Sequence, residues 1–264
     1  MKALILAAGY ATRLYPLTKE YPKPLLKVGH RFIINYIIDK LETLDDINEI
    51  IVVTNNKFMP QFKRWLKGLK SQKRIGLVDD LTKSHSDRRG AIGDMDFVIN
   101  KKRLKDNLLV VGGDNLFDAD LKKFLSFVKD NPHPVIGAYN IKDIRQAKKY
   151  GVIKLGKQNK LIDFQEKPRN PESTLIAMCL YYFPKEKLGL IQEYLNSEIE
   201  KPRPFYYGDS LRRKKERGKH DATGFYIDWL RKRVPVYGFV FGGRWYDIGD
   251  HKFYREAKER FLKI

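Results

Sequence analysis

The chain has 264 residues, 42% of them hydrophobic and 12% aromatic, with 52 lysines and arginines against 32 aspartates and glutamates, a formal net charge of +20. That length and apolar content exclude a disordered chain, and a single cysteine, Cys179, excludes an internal disulfide and a cysteine metal cluster. The charge favours an anionic partner, whether nucleic acid, membrane surface or phosphorylated small molecule, without ranking the three.

Lys2 to Ala7 is a nearly continuous apolar run closed by Ala8-Gly9, the pattern of a parallel strand buried on both faces and stopped by a glycine loop. Ala3 to Ala8 is shorter than a signal-peptide core and far shorter than a membrane span, so a cytoplasmic protein with no membrane segment is expected. Between Phe32 and Leu44, apolar residues fall at Ile33, Ile34, Ile37, Ile38, Leu41 and Leu44, a helical stripe. Glu49 to Thr54 then reads as a strand and completes a βαβ unit. A helix carrying Phe58, Phe62, Trp65, Leu66 and Leu69 follows, then a strand at Arg74 to Val78, a helix at Ala91 to Lys101 and a strand at Leu108 to Val111. The alternation predicts an α/β fold with a mostly parallel sheet, helices on both faces and ligands at the carboxyl ends of the strands.

Beyond Pro134 the spacing changes. Val135 to Tyr139, Val152 to Leu155, Leu161 to Phe164 and Met178 to Phe183 read as strands with little helix between them, which predicts a more antiparallel half. Lys185 to Leu195, Phe225 to Arg231 and Lys252 to Leu262 read as helices, with Val236 to Phe241 as a late strand. No Pro-, Gly- or Ser-rich linker separates the halves. Residues 1–264 are therefore expected to form one domain of two lobes, 1–133 and 134–264, the second ending in a C-terminal helix.

The chemistry-bearing stretch begins where the first strand ends. A small-residue loop after a buried strand lets backbone N–H groups approach phosphates, and Arg13 and Lys23 supply flanking positive charge. The loop is neither GxxxxGK[ST] nor GxGxxG, so kinase-type and dinucleotide-binding readings lack their main support. Over Leu6 to Val28, LAAGYATRLYPLTKEYPKPLLKV, the chain resembles the sugar-phosphate nucleotidylyltransferases, most closely the glucose-1-phosphate thymidylyltransferase branch, whose stretch reads LAAGxxTRLxPLTxxxPKPLLxV. The resemblance extends from Met1 to about Asp250 and implies the family's three-layer Rossmann-like fold with a mixed, mostly parallel sheet. It implies that Leu6, Ala8 and Gly9 approach the nucleotide, that Arg13 holds the departing β- and γ-phosphates, and that Lys23 neutralises charge at the α-phosphate.

Val110-Val111-Gly112-Gly113-Asp114-Asn115 is an apolar strand ending in glycines and a carboxylate, a suitable place to hold a cation beside phosphates. By resemblance Asp114 contacts the nucleotide and binds Mg²⁺, the one cofactor implied. The second metal carboxylate implied is Asp247, within Trp245-Tyr246-Asp247-Ile248-Gly249, which matches the family's W-x-D-x-G. Where the family usually has threonine next, Asp250 stands, and it reads as the cap of the last helix. Tyr150-Gly151-Val152 and Glu166-Lys167-Pro168 match the family's YGV and EKP, which implies that Glu166 takes sugar hydroxyls, Lys167 the sugar phosphate, and that Gly151 permits close approach. The resemblance also implies that Gly90 sits under the base. No glutamine stands between Asp79 and Gly93, where the thymidylyltransferase branch usually has one, so thymidine, uridine and cytidine nucleotides stay open.

Three features point elsewhere. Asp118-Ala119-Asp120 is a DxD, the metal motif of glycosyltransferases that use nucleotide sugars, although Asp118 also has the place of an N-cap before Leu121, Phe124, Leu125 and Val128. The charge of +20, densest at Arg212 to Lys219, suits a nonenzymatic nucleic-acid or sugar-nucleotide binder, but no nucleic-acid motif accompanies it. His220 to Gly224, before a helix, reads as either further sugar contacts or a cap. The expected partners are a nucleoside triphosphate and a sugar 1-phosphate, with no nucleic acid or membrane and with homo-oligomerisation left open. The chain ends soon after Leu262, so the acyltransferase extension of some relatives is not expected.

Overall fold

Residues 1–129, 131–197 and 223–261 are described by the structure, a computed structural model. Strand β1 (Lys2–Leu6) leads through two short 3-10 turns, Thr12–Leu14 and Lys23–Leu25, to a small hairpin, β2 (Lys27–Val28) and β3 (Arg31–Phe32), and then to helix α1 (Ile33–Glu42). There follow β4 (Glu49–Thr54), α2 (Met59–Gly68), β5 (Arg74–Asp79), α3 (Gly90–Lys102), β6 (Leu108–Gly112), β7 (Asn115–Phe117) and α4 (Leu121–Lys129). The second half contains β8 (Val135–Asn140), α5 (Ile144–Ala147), β9 (Gly151–Leu155), β10 (Leu161–Glu166), β11 (Leu175–Phe183) and α6 (Gly189–Asn196). It closes with α7 (Thr223–Arg231), β12 (Tyr237–Phe241), β13 (Trp245–Asp247) and α8 (His251–Arg260).

One nine-stranded sheet carries the chain, in the order β10-β9-β11-β6-β1-β4-β5, with β8 added to β11 and β12 to β8. The stretch β6-β1-β4-β5 is parallel, as the βαβ alternation predicts. β11 runs antiparallel to β6, β8 and β9, so the change of pattern after Pro134 marks a real change of strand direction. The late strand β12 is parallel to β8.

The two-residue period of β1 sorts the core into layers. Ala3 and Ile5 pack with Ile34, Ile37, Phe62, Phe124 and Val128 of α1, α2 and α4, while Leu4 faces Ile92, Met95 and Val98 of α3 and, beyond them, Ile191 and Leu230 of α6 and α7. A separate apolar cluster joins Leu14, Leu26, Val28, Ile33, Leu116 and Ile248 to Ala257 and Phe261 of α8, so the last helix packs against the loop after β1. Among the described residues no helix is long and apolar enough to cross a membrane. The basic stretch Arg212 to Lys219 and residues His220 to Ala222 lie outside the described residues.

Candidate active site

The loop after β1 is fastened from beneath. Asn55, fully buried at the end of β4, donates from Nδ2 to Ala8 O at 2.8 Å and accepts from Phe58 N at 2.9 Å. Ala11 turns the chain with φ 46°, and Thr18 Oγ1 donates to its carbonyl at 2.8 Å. Gly9, by contrast, is exposed, with no protein atom within 4 Å of where a Cβ would stand. Replacing Asn55 with alanine strands the Ala8 carbonyl, while Phe58 N keeps the Asn55 backbone carbonyl at 3.2 Å, and is expected to cost about 1–3 kcal/mol. Chemical denaturation would measure that loss, and an unchanged midpoint would refute it.

Asp114 and Asp247 arrive from opposite directions. β6 ends at Gly112, Gly113 N donates to Leu6 O at 2.8 Å, and Asp114 follows. β7 pairs antiparallel with β13 and sets Asp247 opposite Asn115, next to Asp114. Asn115 anchors this two-stranded piece, accepting from Trp245 Nε1 at 2.8 Å and donating to Cys179 O at 2.9 Å. Lys23 Nζ bonds Asp114 Oδ2 and donates to Ile248 O at 3.0 Å. Burial, then the neighbouring Asp114, pushes Asp247 up to about 6, against the opposing charges of Lys23, Arg13 and Lys167. Burial and the same two carboxylates push the Cys179 thiol upward as well. Asp250 Oδ1 accepts from Lys252 N (2.9 Å) and Phe253 N (3.0 Å), capping α8 as its position in the sequence predicts.

Across the sheet, Gly151 stands opposite Glu166 in the β9–β10 pair. Burial raises the Glu166 carboxyl, and Lys167, whose Nζ lies 3.4 Å away, opposes the rise. Lys167 holds φ 47°, a costly conformation for a lysine, with its N–H donated to Tyr150 O at 3.0 Å. Gly224, at the start of α7, is required by closeness: a Cβ there would lie 2.0 Å from Glu166 Oε2. Thr223 Oγ1 meets Tyr181 OH at 2.7 Å and ties the same helix end to β11. Of the His220 to Gly224 stretch, then, Gly224 adjoins Glu166 and Thr223 reaches Tyr181.

The region read as the base site lies at the far end of β5. Gly90 opens α3 with φ 74°, where a side chain would be strained. Arg89 Nε donates to Asp80 O at 2.7 Å, and Thr82 Oγ1 lies 3.2 Å from Tyr10 OH in the β1 loop. Tyr10, Asn55, Thr82 and Asp94 carry this framework although no role for any of them is legible in the sequence: Tyr10 stands at a variable position of the first motif, and isolated buried polar residues give no periodic signal.

The family model described as nucleotidyl transferase matches residues 2–264. The chain belongs to the nucleotidyl transferase family. Curated relatives include the bifunctional protein GlmU of Methanocaldococcus jannaschii, 30% identical over 250 residues covering 94% of this chain and 51% of the relative. GlmU of Methanococcus aeolicus is 30% identical over 263 residues, covering 100% of this chain and 55% of the relative. The chain thus spans about half the length of these relatives. Among solved structures, UDP-glucose pyrophosphorylase complexed with UDP-glucose superposes with a TM-score of 0.77 at 19% identity, covering 99% of this chain and 98% of the other. A Bacillus anthracis protein described as a glucose-1-phosphate thymidylyltransferase, bound to sucrose, gives 0.75 at 22%, covering 100% and 96%. Together with the layered sheet these establish the Rossmann-like fold.

In this nucleotidyl transferase the DxD pair is occupied by structural work. Arg244 donates from N (2.7 Å) and Nε (2.9 Å) to Asp118. Burial alone would raise the Asp118 carboxyl, but these bonds outweigh it and hold the group below its usual range. The helix cap falls two residues later than the sequence suggests: Asp120 Oδ1, not Asp118, accepts from Lys122 N at 2.8 Å. Asp118 is diverted because Arg244, on the approach to β13, lies alongside it.

Proposed function

We propose that the chain transfers a nucleotidyl group from a nucleoside triphosphate to a sugar 1-phosphate, giving a nucleotide sugar and pyrophosphate. The observation that carries this reading is the convergence of Lys23 and Arg13 on the Asp114–Asp247 pair, at the carboxyl ends of β1 and β6 where an α/β sheet binds its ligands. Glucose 1-phosphate with dTTP or UTP is the favoured substrate pair, supported by the glucose 1-phosphate and the UDP-glucose named respectively for the two proteins of matching fold.

Leu6, Ala8 and Gly9 line the nucleotide, and the open face of Gly9 suits a phosphate or ribose that no protein atom replaces. Gly90 underlies the base. Asp114 and Asp247 fit Mg²⁺: they are two hard carboxylate donors brought side by side by the β7–β13 pair, and they would hold the ion. Bound there, Mg²⁺ would withdraw charge from the α-phosphate and orient the attacking oxygen. Lys23 spreads the charge building at the α-phosphate, and Arg13 takes that of the departing pyrophosphate. Glu166 receives sugar hydroxyls, Gly151 lets the ring come close, and Lys167 steers the sugar phosphate for in-line attack. The phosphate oxygen bonds to the α-phosphorus as the α–β P–O bond breaks, without a covalent enzyme intermediate. On this reading residues 1–133 form the nucleotide lobe and 134–264 the sugar lobe of one domain, which the pairing of β6 with β11 supports.

The reverse reaction tests the class: a nucleotide sugar plus pyrophosphate should yield a nucleoside triphosphate. Asp118→Ala discriminates the rival. A glycosyltransferase using Asp118 and Asp120 would lose its activity, whereas pyrophosphate turnover should stay within about threefold of wild type, the change expected of a group outside the reacting centre.

A further inference from the structure

The end of β5 and the first turns of α3 meet through two buried carboxyls. Asp80 is 1% exposed and Asp94 6%, and the two carboxyls bear directly on each other. From Asp80 the contacts run towards the nucleotide side. Its Oδ1 accepts from Thr82 N (2.7 Å) and Thr82 Oγ1 (2.8 Å), and the same hydroxyl touches Tyr10 OH, one residue after Gly9. Its carbonyl holds Arg89, the neighbour of Gly90. Asp94 sits one turn into the helix that Gly90 opens, and its Oδ1 has no N–H or O–H partner among the described residues. Two ionised carboxylates are acceptors only, so their contact requires a proton between them. Packing alone would be served by an amide or an apolar pair, without desolvating two acids.

We propose that Asp80 and Asp94 are positioning residues for nucleotide binding, a clamp that sets the separation of the β1 loop from the Gly90 turn. The inference rests on the reading that this crevice receives the nucleobase. The charged and titratable groups facing the pair are Arg89, Tyr10 and Asp87, with His85 edge-on to Tyr10 and Asp96 further along α3 near Arg89. Burial first, and then for Asp94 the like charge of Asp80, raises both carboxyls. The folded state therefore holds their proton more tightly than the unfolded chain. The stability that this proton confers is complete below the ordinary carboxylate range and is lost as pH rises through the raised folded values. Loss of the proton sets two charges against each other and opens the clamp.

The experiment uses the full chain with magnesium, titrated with ATP, GTP, CTP, UTP and dTTP, alongside kcat and KM for pyrophosphate release. Asp94→Asn supplies an N–H in place of the shared proton, and Asp94→Ala removes the contact. Wild-type affinity for the preferred nucleotide should weaken as pH rises above the ordinary carboxylate range, through the raised values of the pair. Asp94→Asn should flatten that slope. Asp94→Ala should bind about tenfold more weakly with kcat within about twofold, the split expected when ground-state positioning is lost. Equal affinity in all three proteins, a kcat loss without an affinity loss, or a wild-type slope in Asp94→Asn would overturn the clamp alone. A wild type that binds none of the five would overturn the reading of the site as well. Should Asp94→Ala fail to fold, the slope in Asp94→Asn decides.

Discussion

Asp114→Ala is expected to lower kcat for pyrophosphate release by about a thousandfold, the scale of losing a group that acts on charge developing in the transition state. The fold should survive, because the substitution removes the charge that faces Asp247 and frees Lys23 to pair with the carboxylate that remains. The measurement is steady-state turnover across a magnesium titration, with thermal melting as control. A variant of native melting temperature and near-native turnover would remove Asp114 from the reaction.

The second large effect is expected from Lys23→Ala, with kcat/KM lower by about a hundredfold or more. Lys23 is also one of the charges that hold Asp247 down at about 6. A proton on Asp247 competes with a cation, so divalent-metal affinity of the wild type should weaken as pH falls through about 6. Without Lys23 the Asp247 carboxyl rises further, and the weakening should begin at higher pH. Calorimetric titration with Mg²⁺ over a pH series reads both, and coincident profiles would show that Lys23 does not sense Asp247.

Much of this arrangement is legible in the sequence because it is made by long apolar periods. β4 begins and ends at Glu49 and Thr54 as its hydrophobic run indicates, and α1, α3 and α7 follow their stripes to within two residues. Arg13, Lys23, Asp114 and Asp247 are marked by dense or ordered motifs. What joins them is not marked. The β7–β13 pair is three residues long on each strand, too short for any periodicity, yet it is what sets Asp247 beside Asp114 across more than a hundred residues of chain. Asp118 misleads for a related reason: its local place is a helix cap, and only the distant Arg244 decides its fate. The Asp80–Asp94 contact is equally invisible, since neither residue differs in sequence from a solvated loop acid.

The most direct measurement is pyrophosphate release from the purified chain with Mg²⁺, each nucleoside triphosphate being offered against a panel of sugar 1-phosphates. The account predicts release that requires both substrates together, greatest with glucose 1-phosphate and dTTP or UTP, and abolished in Asp114→Ala. Folded protein that releases none with any pair, or releases it equally without a sugar phosphate, would contradict it.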